Sequence, residues 1–281
     1  MKKTTKDEYI QSVYKIVFYI EQNCNEDLDL EELSKIAGFS KYHFHRIFKG
    51  IIGESIGDYV RRVRLQGSTL RFKSKSRITD IAMESGYETN ASFSKAFKKY
   101  FNMSPSEFAL KVKEKKGKFM LDVEFIEIDD IEVLSVRGVG PYIKAAPYAA
   151  EILMKFAYTQ KIKFKKNLMG KEARCFGISH DDPNITDDDK IRCDMCITWD
   201  DKSVKPEGEV VSNMIKGGKY ARILHKGPYE NLTHTYESIT TWIIENEITL
   251  RNVPFFEEYL NRDPRRTKPE NLRTLIHIPI S

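Results

Sequence analysis

Two sets of polar side chains have the residue types and the spacing needed to read the edges of DNA bases. Lys41, Tyr42, His45 and Arg46 lie three or four residues apart, as they would along one face of a helix. Arginine on such a face can pair bidentately with guanine, and His45 and Tyr42 can add hydrogen bonds or contact a thymine methyl. The first set therefore predicts a helix that enters a major groove.

The second set consists of Asn90, Ala91, Ser92, Ser94 and Lys95. Asparagine suits adenine, and serine suits phosphates or base edges. Either set by itself could equally be a solvated helix face. We favour base recognition because the two sets occupy matching positions in a repeated segment.

The repeated segment is the strongest signal in the chain. Its copies span 33–55 and 81–104 and lie 48 to 49 residues apart. In each copy a short helix ends at a glycine-aromatic pair, and a second helix carries two phenylalanines four residues apart. This is a helix-turn-helix written twice, and a chain with two such units can read two successive turns of a major groove.

A different chemistry is predicted for Glu257, which lies among Phe255, Phe256 and Tyr259. A carboxylate walled by aromatic side chains is poorly solvated, and a cationic ligand could neutralise it. The alternative is a surface glutamate that happens to have aromatic neighbours.

Three further aromatic residues are candidates for the same site. Tyr142 and Tyr229 end two Gly-Pro-Tyr turns that lie 87 residues apart, so they are expected to be equivalent and to contact a ligand. Trp199 is a weaker candidate, because tryptophan commonly packs in a core.

The cysteines do not indicate a metal or redox site. Cys24, Cys175, Cys193 and Cys196 are too few and too scattered for a disulfide scaffold. The C-x-x-C at 193–196 has no second Cys/His pair at zinc spacing. We interpret these residues as structural or incidental thiols, and we predict no metal and no cofactor.

The elements that position these residues change type along the chain. Residues 5–110 read as helices, with Asp29, Ser40 and Ser104 as predicted caps. A lysine-rich stretch at 111–118 follows. After residue 121 the apolar pattern has a period of two. The predicted strands are Val123–Ile128, Ile131–Arg137, Cys175–His180, Cys193–Trp199, Lys219–His225 and Arg273–Ile280.

Two helical stretches, near 147–156 and 232–243, interrupt these strands. A strand, a Gly-Pro-Tyr turn and a helix thus occur twice. The second half is therefore expected to be a duplicated α+β unit with pseudo-twofold symmetry, whose central groove could hold one ligand.

Charge separates the two halves as well. Residues 1–120 carry 23 Lys and Arg against 15 Asp and Glu, whereas residues 121–281 carry 23 against 26. This asymmetry favours a polyanion as the partner of the first half. Polar residues follow Met1-Lys2-Lys3 where a secretory signal would be apolar, and no run of about 18 apolar residues occurs. We expect a cytoplasmic protein without a membrane partner.

The first half resembles the AraC/XylS DNA-binding domain. The resemblance rests on 38–49, 53–55, 80–88, 93–98 and 104–108. It implies transcription regulation, usually activation, with double-stranded DNA and RNA polymerase as partners, and it places base recognition on the two sets named above. Gly67 lies where the family usually has alanine, which would weaken that helix by up to about 1 kcal/mol.

The second half resembles the GyrI-like effector domain. The matching residues include Gly140-Pro141-Tyr142, Arg192, Asp194, 225–229 and 256–261. The resemblance implies two strand-helix-strand-strand repeats around a pocket for an amphipathic, often cationic, small molecule. The domain order is that of Rob-type regulators.

Together these features predict a multidomain chain. An all-α tandem helix-turn-helix DNA-binding domain spans 1–112, a linker spans 113–121, and an α+β domain of two strand-helix-strand-strand repeats spans 122–281. The expected function is sequence-specific transcription regulation by a small-molecule effector, without enzymatic activity. The alternatives are that the second domain is a hydrolase, with Glu257 and a tyrosine as acid and base, or a protein-interaction module.

Overall fold

The computed structural model describes residues 5–24, 26–72, 77–114, 121–162, 173–183, 185–199, 203–261 and 263–281. The first half is helical. Its helices are α1 (Thr5–Gln22), α2 (Leu30–Ala37), α3 (Lys41–Ile52), α4 (Ile56–Arg71), α5 (Ile78–Glu84), α6 (Asn90–Phe101) and α7 (Pro105–Glu114). The α2–α3 and α5–α6 pairs are the two helix-turn-helix units, and α4 joins them.

Each unit is built on the phenylalanines that recur four residues apart. Phe44 and Phe48 of α3 are fully buried in one core, and Phe93 and Phe97 of α6 are fully buried in another. Burial of this face leaves the polar face of each second helix in solvent. Asn102 ends α6 with φ 55°, a left-handed conformation that asparagine tolerates.

Side-chain caps fix where several helices begin. Ser104 was correctly predicted: its backbone N–H donates to Glu107 at 2.6 Å, and the Glu107 N–H donates back to Ser104 Oγ at 3.2 Å. The predictions for Asp29 and Ser40 were wrong, since neither side chain makes a capping hydrogen bond. Both residues are extended and precede their helices without contributing a cap.

The second half is one antiparallel sheet with two long helices. Its elements are β1 (Val123–Ile128), β2 (Ile131–Val139), α8 (Tyr142–Thr159), β3 (Cys175–Ser179), β4 (Arg192–Ile197), β5 (Val211–Ile215), β6 (Gly218–Lys226), α9 (Leu232–Glu245), β7 (Phe255–Tyr259) and β8 (Arg273–Pro279). In the described part of the chain the strand order is β1-β6-β8-β7-β3-β4-β2-β5. The sequence of elements from β2 to β4, and again from β6 to β8, is strand, helix, strand, strand.

Two strands escaped prediction from the apolar pattern. In β7 three consecutive residues, Phe255, Phe256 and Glu257, are buried, so its sequence does not alternate. In β5 the buried ends, Val211 and Ile215, enclose less apolar residues over only five positions. Period-two patterns identify strands with one solvated face, and neither strand fits that description.

The helical half and the sheet half pack against each other. From α1, Gln11 Nε2 donates to the carbonyls of Gly208 and Val210 at 3.1 and 2.8 Å. From α4, Gln66 Nε2 donates to Thr186 Oγ1 at 2.6 Å. The helix that joins the two helix-turn-helix units therefore lies on the sheet domain. Within the described residues, none of the helices has both the length and the hydropathy of a transmembrane segment.

Candidate functional site

The first set of predicted DNA contacts lies on the outer face of α3. Lys41, Tyr42 and Arg46 are exposed, Tyr42 to 86%, and His45 is half-buried. An 86% exposed tyrosine contributes little to its own fold. Its position next to Arg46 on a convex helical surface is compatible with insertion into a groove.

The second set lies on the corresponding face of α6. Asn90, Ala91, Ser92 and Lys95 are exposed, and Ser94 is half-buried. Ser92 also has a structural role, because its backbone N–H donates to the Thr89 hydroxyl at 3.1 Å and its own hydroxyl donates to the Thr89 carbonyl at 2.8 Å. Thr89, which caps this helix, was not among the predicted caps.

A large cavity lies in the sheet domain and extends to the helical half. Its volume is about 2200 Å³, well above the roughly 300–1,000 Å³ of typical small-molecule sites. Tyr142, Tyr229, Glu257 and Tyr259 all line it, so the structure brings these four predicted residues together. Trp199 does not line it.

Glu257 is buried in the wall of this cavity between two tyrosines. Tyr236 donates to Oε1 and Tyr259 donates to Oε2, both at 2.8 Å. Burial raises the pKa of Glu257, although both hydrogen bonds act against that shift. Among the described residues no cationic side chain pairs with this carboxylate. An ionised Glu257 therefore carries a poorly compensated negative charge toward the cavity.

Tyrosine rings pack against each other beside Glu257. The rings of Tyr229 and Tyr259 meet edge to face with centroids 5.6 Å apart. Burial raises the pKa of Tyr229 to about 12, and the charge of Glu257 adds to that effect. These phenols stay neutral at physiological pH, so they can donate hydrogen bonds or present ring faces to a ligand.

One candidate was misplaced and one was missed. Trp199 packs with the apolar cluster that contains Leu153 and Phe156 of α8, as core tryptophans commonly do. Tyr236 was not among the predicted site residues, yet its hydroxyl donates to Glu257 Oε1. A tyrosine on the inner face of a helix carries a polar atom that needs a partner, and this was the available signal.

A second group of polar residues joins the two halves of the molecule. We name it the interdomain ion cluster, and its members are Glu21, Tyr59, Arg137, Asp181, Arg192 and Asp194. Arg137 donates to both carboxylate oxygens of Glu21, at 2.7 and 2.9 Å. Arg192 donates to Glu21 Oε1 at 2.9 Å. Glu21 belongs to α1 and the arginines to β2 and β4, so these ion pairs cross the domain boundary.

Each arginine is also held within the sheet domain. Arg137 binds Asp194 bidentately at 2.7 and 2.8 Å, and Arg192 binds Asp181 bidentately at 2.8 Å to each oxygen. Burial alone would raise the pKa of Glu21, but the charges of Arg137, His180 and Arg192 and the hydrogen bond from Arg137 together outweigh it, and the pKa falls to about 2. Glu21 is therefore ionised at physiological pH.

The group Glu21, His180 and Asp194 has the composition of a metal site, but Glu21 and Asp194 belong to the interdomain ion cluster and His180 lies beside it. Potential ligand atoms of the three residues lie within 4.8 Å of one another. The Arg137 guanidinium donates to both carboxylates and lies 3.0 Å from His180 Nε2. A metal ion there would have to displace this cation.

The C-x-x-C cysteines lie in β4 and are both buried. Burial raises the pKa of the Cys193 thiol to about 12 and also raises that of Cys196. Thiols of this kind are poor nucleophiles and poor metal ligands.

Comparison with known proteins places both halves. Residues 121–281 match the family described as GyrI-like small molecule binding domain, and residues 33–111 match a helix-turn-helix domain family. The transcriptional regulator Rob of Salmonella typhimurium is 24% identical over 286 residues, which cover 94% of this chain and 96% of Rob. The transcriptional activator AarP of Providencia stuartii is 31% identical over 99 residues, 35% of this chain and 73% of AarP.

Among solved structures, the C-terminal domain of EcmrR covers 58% of this chain and 99% of its own, with 23% identity and a TM-score of 0.46. The curated relatives named above are regulators of transcription, which agrees with the tandem helix-turn-helix units. The chain belongs to the family of GyrI-like small-molecule binding domains and carries an AraC-type helix-turn-helix region ahead of that domain.

Proposed function

We propose that this chain is a one-component transcription regulator that senses a small amphipathic cation. Residues 1–112 bind double-stranded DNA through the exposed faces of α3 and α6, and residues 122–281 bind the effector. The two strand-helix-strand-strand units of the sheet domain form the walls of one pocket. The similarity to AarP, a transcriptional activator, supports activation as the direction of control, and RNA polymerase is then a partner.

The proposal of a cationic effector rests on the burial of Glu257 and on its lack of a described cationic partner. A buried carboxylate that lacks a described cationic partner is costly when it is ionised, and a ligand cation between aromatic faces would offset that cost. The surrounding tyrosine rings favour a cation over a neutral ligand of the same shape. A protein-interaction module would need no pocket for a small molecule. The cavity of about 2200 Å³ has room for one, so it favours a small-molecule effector over that alternative.

The test is calorimetric titration with tetraphenylphosphonium, a hydrophobic cation, and with triphenylphosphine oxide, a neutral analogue. Glu257→Gln keeps the shape of the side chain and removes its charge. We expect the affinity for the cation to fall by about tenfold or more, roughly 1.4 kcal/mol, and the affinity for the neutral compound to stay the same.

Glu230→Gln is the matched control, because Glu230 also lines the cavity but is exposed. Water screens an exposed charge, so we expect this variant to bind the cation almost as the wild type does. Equal affinities of wild type and Glu257→Gln for the cation would remove Glu257 from the site. Tighter binding of the neutral analogue would overturn the cationic effector.

The hydrolase alternative rests on the same carboxylate, since a glutamate with a raised pKa next to tyrosines can exchange protons. It predicts product formation from reactive small molecules that is lost in Glu257→Gln. Incubation of candidate compounds with wild type and variant, followed by chromatography, distinguishes a sensor from an enzyme.

A further inference from the structure

In the described residues, the hydrogen bonds of the interdomain ion cluster reach α1 and α4 but not α5 or α6, where Tyr100 interacts with Asp181 and Arg192 only electrostatically. Glu21 lies at the end of α1, and Tyr59 lies on α4, within the core that also contains α3. Both units also meet the sheet domain through apolar contacts: Val211 of β5 lies in the core of the first unit, and Ile185 and Ile244 pack against the core of the second. The hydrogen bonds of the ion cluster are therefore an additional, directional link to the first unit.

The cluster is continuous with the cavity on its sheet-domain side. Tyr142 lines the cavity and donates its hydroxyl to the Asp181 carbonyl at 2.5 Å. The carboxylate of Asp181 holds Arg192, accepting from both its backbone N–H and its guanidinium. A ligand that displaces Tyr142 would shift the residue that fixes Arg192.

The cluster also reaches the predicted recognition helix. The Tyr59 hydroxyl donates to Glu21 Oε1 at 2.6 Å and accepts from Arg137 and Arg192 at 3.0 and 3.1 Å. The Tyr59 ring packs edge to face on Phe48 of α3, with centroids 5.6 Å apart. One tyrosine thus contacts both domain-crossing arginines and the core of the helix that carries Arg46.

The energetics favour a positioning role over simple stabilisation. A buried ion network gains little net stability over apolar residues of the same volume, because each charge loses its hydration. It does restrict geometry, since a bidentate arginine keeps its bonds only over a narrow range of positions. Moving one partner away leaves a buried charge unpaired, which costs free energy. A displacement at one end of the cluster therefore favours a displacement of the residues paired with it.

We propose that the interdomain ion cluster positions the first helix-turn-helix unit relative to the effector domain and transmits the state of the cavity to it through Tyr142, Asp181, Arg192 and Tyr59. The transmission half rests on the proposed function, because it requires a ligand in the cavity. The positioning role does not require a ligand, and it is tested on the full chain without ligand or DNA. The positioning role and the proposed function can therefore fail separately.

The measurement is amide hydrogen exchange of α3 and α6 in the same sample. Glu21→Gln keeps the shape of the side chain and weakens both ion pairs. We expect exchange in α3 to accelerate by about threefold or more and exchange in α6 to stay within experimental error. Glu8→Gln, an exposed glutamate on the same helix, is the control and should change neither.

Tyr59→Phe guards against general unfolding by Glu21→Gln. It keeps the ring on Phe48 and removes only the hydroxyl that joins Glu21 to the arginines. We expect the same selective acceleration in α3. If amide exchange accelerated equally in α3 and α6, or in neither helix of either variant, the cluster would have no specific effect on the first unit. Either result would overturn the positioning role.

Transmission is tested from the cavity end with Tyr142→Phe, which removes the hydrogen bond to Asp181. We expect this variant to accelerate exchange in α3 as well, and the Tyr142→Phe/Glu21→Gln double variant to exceed Glu21→Gln by less than the product of the single effects. Multiplying single effects would mean that the two ends act independently and would overturn transmission. Arg192→Lys, which keeps the charge without the fork, should lie between wild type and Glu21→Gln.

Discussion

Arg46 and Lys49 lie exposed one turn apart on α3, so they can separate base recognition from phosphate attraction. We expect Arg46→Ala to cost about 1–3 kcal/mol and to relax the preference at one base position. We expect Lys49→Ala to weaken all sequences alike and to reduce the salt slope by about 1. Selection from random duplexes measures both, and an unchanged consensus for Arg46→Ala would remove α3 from the groove.

Under the proposed function, Glu257 favours a cationic ligand but destabilises the protein without ligand. Because burial raises its pKa, the folded protein keeps this proton to a higher pH than the unfolded chain does. The free energy of unfolding therefore falls as the pH rises from the unfolded pKa through the folded pKa, and it stays lower above that range.

Glu257→Gln removes that penalty and keeps a side chain that can bond both tyrosines. We expect its unfolding midpoint, measured by scanning calorimetry without ligand, to exceed that of the wild type at about pH 8 and to approach it at about pH 4. A lower midpoint for the variant at the higher pH would show that the carboxylate is compensated by a cation.

At the scale of elements, a close approach of the sheet domain explains why position 67 is glycine where the family usually has alanine. A Cβ at this position of α4 would lie 2.8 Å from Asn252 Oδ1, in a loop of the sheet domain. Asn252 also donates to Cys24 Sγ at 3.4 Å. Because glycine has no Cβ, α4 can approach the sheet domain at this position. This close approach offsets the low helix propensity of glycine.

We expect Gly67→Ala to gain less stability in the wild type than in an Asn252→Ala background, where up to about 1 kcal/mol of helix propensity should appear. Gly57→Ala is the control on the same helix, since nothing lies within 4 Å of its added Cβ. Its gain should be the same in both backgrounds. Chemical unfolding of the four glycine variants and of their two backgrounds, wild type and Asn252→Ala, gives these differences, and equal gains for Gly67→Ala would exclude the contact.

At the scale of the whole molecule, Glu21 ties the packing of the two halves to acid pH. Its pKa is about 2 in the folded protein against a usual 4.5. The groups that face it across the interface and beside it are Tyr59, Arg137, His180, Arg192 and Asp194. A lowered folded pKa gives stability that is complete above about pH 4.5 and is lost as the pH falls toward 2.

We expect the unfolding midpoint of the wild type to fall more steeply between these pH values than that of Glu21→Gln, by an amount equivalent to roughly 3 kcal/mol. Glu8→Gln should keep the steep wild-type dependence, because Glu8 is exposed. Circular dichroism during heating at several pH values tests this. Parallel curves for wild type and Glu21→Gln would mean that Glu21 is not paired in solution.

The sequence by itself determined the features that repeat locally. Phenylalanines four residues apart, glycine-aromatic turns and alternating strands each depend on neighbours close in the chain, so the tandem helix-turn-helix region and six of the strands could be predicted. Glu257 and Tyr259 could be placed together because they lie only two residues apart in the chain, although β7 itself was not predicted.

Only the tertiary structure decided which distant groups meet. Tyr236 and Glu257 lie on different elements, and Glu21 is separated from Arg192 by 171 positions, so no local pattern could pair them. Strand β7 is central and buried on both faces, which removes the alternation that prediction needs. A buried polar atom must find its partner wherever the fold places one, and that choice depends on packing between domains.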